Sequence, residues 1–189
     1  MQTPSSFLCV FCGSSAGLHS TFRQVAQELG EQMAKKKIGL VYGGAHVGLM
    51  GVVADAVLAQ GGQAIGVMPQ ALINLEVAHQ NLSKFYVVQS MHERKQKLYD
   101  LSHGFVALPG GPGTMDEWFE ILTWAQLRHH HKPIYILNVE VDGTGYFSPM
   151  IAQLENMVKY GFMRAEHAKL FHVVNSVEQL LDSFHQACR

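Results

Sequence analysis

Short apolar runs alternate with stretches of helical period along this chain, and most of the runs close on a turn signal. No other feature narrows the fold as much. The runs lie at residues 7–11, 38–42, 63–68, 85–89, 105–108, 134–138 and 170–174. The helical stretches lie at 20–35, 49–59, 91–101, 114–128, 147–160 and 177–187. In the first of these, Phe22, Val25, Leu29 and Met33 recur at helical spacing. The runs are too short for helices and nearly continuous in apolar residues, as strands buried on both faces are. Strands alternating with helices form a parallel sheet covered on both sides, joined by right-handed crossovers. The expected fold is therefore α/β, a doubly wound, Rossmann-like and mostly parallel sheet of about seven strands with helices on both faces. At 189 residues, with no linker, repeat or low-complexity tract, the expectation is one domain over residues 1–189. Residues 74–83 are the least periodic and are expected to form a loop or irregular turn near the ligand edge.

Charge excludes several functions. Fourteen Lys and Arg stand against 15 Asp and Glu, a formal charge of −1, so no global basic field exists to hold nucleic acid or an anionic membrane. An apolar fraction of 48% with only 15% charged residues argues against disorder and suits a chain that also buries surface against a second copy. No run approaches the roughly 18 apolar residues of a membrane span. Met1-Gln2-Thr3-Pro4-Ser5-Ser6 lacks the basic and apolar parts of a secretory signal, and three cysteines do not make a disulfide scaffold. A cytoplasmic address follows as the expectation. Cys9 and Cys12 have the spacing of a metal or redox pair, but within a strand positions three apart point to opposite faces. His129, His130 and His131 are consecutive at a helix end and cannot converge on one metal. No metal site is expected.

Three glycine-containing loops follow strands: Cys12-Gly13-Ser14-Ser15, the stretch from Gly43-Gly44 to Gly51, and Pro109-Gly110-Gly111-Pro112-Gly113-Thr114. None is a dinucleotide fingerprint, since Gly-x-Gly-x-x-Gly is missing after the first strand and Tyr42 stands where an acidic ribose ligand might follow the second. No Gly-Lys-Ser/Thr is present either, which excludes a nucleoside triphosphate P-loop. The third loop opens a helix, where glycines let backbone N–H groups approach an anion and the helix start supplies unpaired donors. The expectation is a phosphomonoester site, set against the alternative that these glycines only make a tight turn. Thr114-Met115-Asp116-Glu117 also has the form of a capping box, which would explain Glu117 without chemistry. The alternative places the Glu117 carboxylate about one turn from a bound phosphate, near the sugar of a 5′-nucleotide. The cationic segment from Met91 to Lys97 divides similarly. Glu93 and Lys97 can pair on a solvated helix face, or Arg94, with Lys95 beside it, can reach a phosphate or a leaving base.

Several motifs in order carry a family resemblance: Pro109-Gly110-Gly111-Pro112-Gly113-Thr114-Met115-Asp116-Glu117, Met91-His92-Glu93-Arg94-Lys95, Val10-Phe11-Cys12-Gly13-Ser14-Ser15, Tyr42-Gly43-Gly44 through Gly48-Leu49-Met50-Gly51, and Thr123-Trp124-Ala125-Gln126-Leu127. Across residues 8–138 the chain resembles the Lonely Guy family of cytokinin riboside 5′-monophosphate phosphoribohydrolases, many of which carry an older lysine decarboxylase label. The resemblance implies hydrolysis of the N-glycosidic bond of purine nucleoside 5′-monophosphates, AMP or cytokinin-type, to free base and ribose 5-phosphate, without a cofactor. It implies Arg94 and Glu117 as the catalytic pair. It implies substrate binding by Glu76, Arg94, Lys95, Gly111, Pro112, Gly113, Thr114, Met115, Asp116, Glu117 and Thr123. A homodimer with the site near its interface is implied as well. Pro112 and the three consecutive histidines depart from the pattern without touching that chemistry. A different reading is a non-catalytic carrier or sensor of a nucleotide-like ligand, because related folds bind molybdenum cofactor. A pyridoxal-phosphate decarboxylase needs a Schiff-base lysine with supporting groups, and no lysine here has that context.

Overall fold

The computed structural model describes residues 4–73 and 78–188. Seven strands form one sheet: β1 (Ser6–Phe11), β2 (Ile38–Tyr42), β3 (Ala64–Pro69), β4 (Lys84–Val88), β5 (Gly104–Ala107), β6 (Ile134–Leu137) and, last in the chain, β9 (Phe171–Val174). A short hairpin, β7 (Glu140–Val141) and β8 (Thr144–Gly145), lies between β6 and β9 in sequence. The helices are α1 (Ser20–Lys35), α2 (Gly48–Ala59), α3 (Met91–Leu101), α4 (Pro112–Gln126), α5 (Ser148–Lys159) and α6 (Val177–Ala187). The strand order is β4-β3-β2-β1-β5-β6-β9, and every pair in it is parallel. This is the expected doubly wound sheet.

Handedness then decides which face each helix covers. The chain steps outward from β1 to β4, returns across the sheet through α3, and steps the other way from β5 to β9. Right-handed crossovers running in opposite directions lie on opposite faces. Accordingly α1 and α2, joined by α6, pack over Leu8, Val10, Leu40, Tyr42 and Val106. On the other face α3, α4 and α5 pack over Cys9, Phe11, Val41, Phe105 and Ile134. Cys9 and Cys12 fall in different cores, as strand alternation requires. Trp118 of α4 is fully buried, and its indole N–H donates to the Tyr135 carbonyl of β6 at 3.1 Å. Reversal of the strand order opens a crevice between the C-terminal ends of β1 and β5, where ligands bind in folds of this kind.

Two local expectations change. Helix α4 begins at Pro112 with Gly111 as its cap, so Glu117 stands beyond the first turn and the capping box at Thr114 does not form. A proline at the first helical position fixes φ and has no N–H to leave unpaired. A capping arrangement of this type starts α3 instead. There the Ser90 hydroxyl accepts from Glu93 N–H at 3.1 Å, and the Glu93 carboxylate accepts from Gln89 N–H at 2.8 Å. Glu93 is thereby turned to the helix start rather than to Lys97, whose ammonium lies 4.6 Å from the Tyr86 ring centroid.

His130 is a core residue, 5% exposed. Its Nδ1 accepts the Lys132 N–H at 3.1 Å, so the neutral ring carries its proton on Nε2, which donates to the Ile121 carbonyl at 3.0 Å. Burial holds its pKa below the usual histidine range, aided by the positive charge of Lys132 and the neighbouring histidines and opposed by the bond to Ile121. The unfolded chain therefore takes up this proton at higher pH than the folded one, and acidification favours unfolding. Stability is expected to fall as pH drops through about 6.5. The loss should be shallower in His130→Gln when urea midpoints are compared from about pH 8 to about pH 5.5.

Candidate active site

The three glycine loops are laced together at the crevice. Gly13 N–H donates to the Pro109 carbonyl and the Gly13 carbonyl accepts from Leu49 N–H, each at 3.0 Å. A side chain at Gly48, where φ is +60°, would run into the Ser14 backbone. The crevice, about 290 Å³, is floored by the 13–15 and 109–111 loops and walled by Phe22, Leu49 and Tyr146.

Gly110 and its two following glycines differ in what they are for. At Gly110 a Cβ would collide with the Thr114 hydroxyl and the Gly13 nitrogen, so packing alone demands glycine. At Gly111 and Gly113 a Cβ would meet nothing within 4 Å, and neither residue has positive φ. Nothing among the described residues requires glycine at these two positions. The first helical bond of the loop runs from Met115 N–H to the Gly111 carbonyl at 3.3 Å, and no side chain caps the helix. The N–H groups of Gly113 and Thr114 therefore point out of the helix start without a partner among the described residues, beside two glycines that keep the approach open.

Arg94 of α3 is buried, 6% exposed, because α3 recrosses the sheet and carries it over the ends of β3 and β2. Its Nε donates to the Val67 carbonyl at 3.2 Å and its Nη2 to the Gly43 carbonyl at 3.4 Å. A side chain at Gly43 would occupy the place of the guanidinium. The remaining nitrogen, Nη1, faces Glu117 Oε1 of α4 at 3.8 Å, with the two side chains 8% and 13% exposed. That spacing is too long for a hydrogen bond and is an ion-pair contact. Lys95 makes a second link between the helices, to Asp116 at 3.2 Å and Glu120 at 3.1 Å. Burial disfavours the charged amine, but these two carboxylates outweigh it and raise its pKa. The Cys12 thiol is held well above its ordinary value by burial and then by the charge of Glu117. A thiol so placed stays protonated and is no nucleophile.

The structure thus brings together Arg94, Lys95, Asp116 and Glu117, with Gly111, Pro112, Gly113 and Thr114 at the start of the same helix. Met115 and Thr123 line a broad, open hollow on the outer side of α4, shared with Asp116, Phe119 and Glu120. The Thr123 hydroxyl donates to the Phe119 carbonyl at 2.8 Å, one turn back. Glu76 lies outside the described residues. Just after it, Ala78 bridges Ala45, and His79 donates its backbone N–H to the Gly44 carbonyl at 2.9 Å and meets Asp55 at 3.0 Å. The chain following Glu76 is therefore fastened to the second glycine loop. Sequence reasoning missed Tyr146, which stands over the crevice. Its one local signal is Asp142-Gly143, a hairpin turn dipeptide just ahead of it.

Known proteins match this chain over most of its length. A family described as "Possible lysine decarboxylase" matches residues 50–184. A rice protein (Oryza sativa subsp. japonica) named as a probable cytokinin riboside 5′-monophosphate phosphoribohydrolase is 40% identical over 182 residues, 96% of this chain and 80% of its own. Proteins named cytokinin riboside 5′-monophosphate phosphoribohydrolase from Arabidopsis thaliana and Rhodococcoides fascians are 41% and 42% identical, over 86% and 85% of this chain and 76% and 79% of theirs. The chain belongs to the Lonely Guy family. Among solved structures, the molybdenum cofactor carrier protein of Chlamydomonas reinhardtii aligns with a TM-score of 0.70 at 23% identity, covering 98% of both chains. The molybdenum cofactor binding protein of Rippkaea orientalis aligns with a TM-score of 0.71 at 18% identity, covering 100% of this chain and 99% of that one. Those two likenesses establish the shared fold.

The open space at Gly113 separates a ligand role from a turn role. Alanine is the better helix former by about 1 kcal/mol and fits without strain, so Gly113→Ala is expected to hold or raise the unfolding midpoint. A methyl group in the approach should raise KM for a nucleoside monophosphate roughly tenfold, a loss of about 1.4 kcal/mol in binding. Urea titration and steady-state kinetics on the same preparation check both halves.

Proposed function

We propose that this protein hydrolyses the N-glycosidic bond of purine nucleoside 5′-monophosphates, AMP or cytokinin-type, giving free base and ribose 5-phosphate. The observation that carries the reading is the buried Arg94–Glu117 pair set about one turn below a helix start whose two glycines leave the approach open. The 5′-phosphate docks on the N–H groups of the 111–114 turn, where the helix dipole favours an anion. Lys95 adds positive charge nearby and is kept charged by Asp116 and Glu120. Anchoring the phosphate fixes the sugar for reaction, so remote binding energy is spent on positioning.

Cleavage passes through a sugar with oxocarbenium character. The Glu117 carboxylate stabilises that charge, holds ribose hydroxyls and orients the attacking water, whose oxygen bonds to C1′. The C1′–N bond breaks with its electron pair leaving on the purine, which is released carrying a proton. Arg94 polarises the departing base or the phosphate. Its two carbonyl anchors prevent it from collapsing onto Glu117 and neutralising the carboxylate by direct hydrogen bonding. Glu76, Met115 and Thr123 complete substrate binding by family analogy. A second copy laid over the outer face of α4 would turn the hollow there into an enclosed pocket, which supports a homodimer with the site near its interface. The whole chain acts as one nucleotide-binding domain with a cytoplasmic address, in keeping with three free thiols.

Decarboxylase chemistry does not suit the lysines. A Schiff base forms from a neutral amine, whereas Lys95 is held charged. Lys132 has the opposite tendency, its pKa lowered by burial. It sits at the N-terminal end of β6, away from the crevice, with its Nζ donating to the Tyr99 carbonyl at 2.7 Å and 3.7 Å from that ring centroid.

Incubating the protein with AMP, N6-isopentenyl-AMP and their ribosides, with chromatography of released base, tests the reading. Wild type should free base from the monophosphates far faster than from the ribosides. Glu117→Gln should lose about 10²–10⁴-fold in kcat while folding normally. Stoichiometric nucleotide binding without released base would instead identify a carrier. Equal turnover by Glu117→Gln would remove that residue from the chemistry.

A further inference from the structure

The crevice is closed on one side by a single side chain that the motifs do not contain. After β6 the chain turns through the β7–β8 hairpin, with Asp142 at φ +52° and Gly143 at φ +77°, the left-handed pair of a tight two-residue hairpin turn. The hairpin returns Tyr146 to the ligand edge. Its backbone is fixed on both sides, Tyr146 N–H to the Val139 carbonyl and Phe147 N–H to the Asn138 side-chain oxygen, each at 2.8 Å. Phe147 is buried, and the Tyr146 ring meets Phe147 and Phe22 edge-on at centroid distances of 4.9 and 5.6 Å. So held, the phenol donates to the Gly110 carbonyl at 2.7 Å.

Four carbonyl oxygens of these loops are engaged in hydrogen bonds. Backbone N–H groups hold three of them: Gly13 on Pro109, Leu49 on Gly13 and Met115 on Gly111. The fourth, the Gly110 carbonyl, is held by a side chain, that of Tyr146. The described peptide bonds are all trans, and in a trans peptide the C=O of one residue and the N–H of the next point in opposite directions. Holding the Gly110 oxygen on the Tyr146 side therefore directs the Gly111 N–H away from it. The Gly110–Gly111 peptide is flanked by glycine on both sides, so released it rotates with little steric hindrance. In the rotated form it would present an oxygen to an incoming anion.

We propose that Tyr146 is a positioning residue for phosphate recognition, its hydroxyl fixing the Gly110–Gly111 peptide so that the Gly111 N–H, and not a carbonyl oxygen, faces the 5′-phosphate. The inference rests on the phosphate-cradle reading above and adds a residue outside the glycine motif that sets the preference for monophosphates over ribosides.

The test is Tyr146→Phe, which keeps the ring and its contacts and removes the hydroxyl. KM for AMP and the dissociation constant for ribose 5-phosphate should each rise roughly tenfold, the value of one hydrogen bond to a charged group. Turnover of the riboside should stay at its wild-type level, so the preference for the monophosphate narrows by the same factor. Parallel losses on both substrates with a lowered unfolding midpoint would mean a structural role and overturn the proposal, as would an unchanged preference. Ribose 5-phosphate binding, followed by calorimetry, separates this from the enzymatic reading. A wild type that binds it but frees no base refutes the hydrolase alone, and a wild type that frees base while Tyr146→Phe binds normally refutes the Tyr146 role alone.

Discussion

A buried guanidinium organises this molecule. Arg94 has almost no contact with solvent, and a charge in that position persists only when its hydrogen-bonding capacity is met. Backbone carbonyls of Val67 in β3 and Gly43 just after β2 accept two of its N–H groups, and Glu117 supplies the opposite charge. Arg94 consequently ties α3, the ends of β2 and β3, and α4 into one rigid corner. That corner stands at the C-terminal edge of the sheet, where the reversal of strand order has already opened a crevice. Fold and site therefore share a single constraint: the helix that must recross the sheet delivers the cation that holds the carboxylate in place.

The glycines of the neighbouring loop divide by what surrounds them. Gly13 is required by closely packed backbone and Gly110 by the Thr114 side chain together with the Gly13 nitrogen, and Gly43 makes room for the guanidinium itself. Gly111 and Gly113 face open space among the described residues. Around them the Gly13, Pro109, Gly110 and Gly111 carbonyls are bonded, and the N–H groups of Gly113 and Thr114 have no partner among the described residues.

Much of this is legible in the sequence. The strand and helix alternation, the seven-stranded parallel sheet, the opposite faces of Cys9 and Cys12, and the meeting of three glycine loops all follow from local patterns. Where local reasoning went astray, a competing local signal won. Thr114 looks like a cap because Glu117 follows it by three residues, yet Pro112 starts the helix earlier and Ser90 with Glu93 holds the cap of α3. Glu93 looks like a partner for Lys97 four residues on, but the unpaired N–H groups of its own helix start compete for it. Tyr146 left no mark beyond a turn dipeptide, because its partner is 36 residues away and is a backbone carbonyl with no side chain to read.

By itself the sequence determined what depends on near neighbours: strand and helix periods, the glycines that permit close approach, and the motifs that mark the family. Tertiary structure alone decided which of these act together. Arg94 reaches carbonyls 27 and 51 residues away, and those contacts exist only because right-handed crossovers send α3 back over the sheet. The physical reason is that backbone conformation is set by interactions within a few residues. The orientation of a buried charge and the direction of a peptide N–H are set by whatever the folded chain brings beside them.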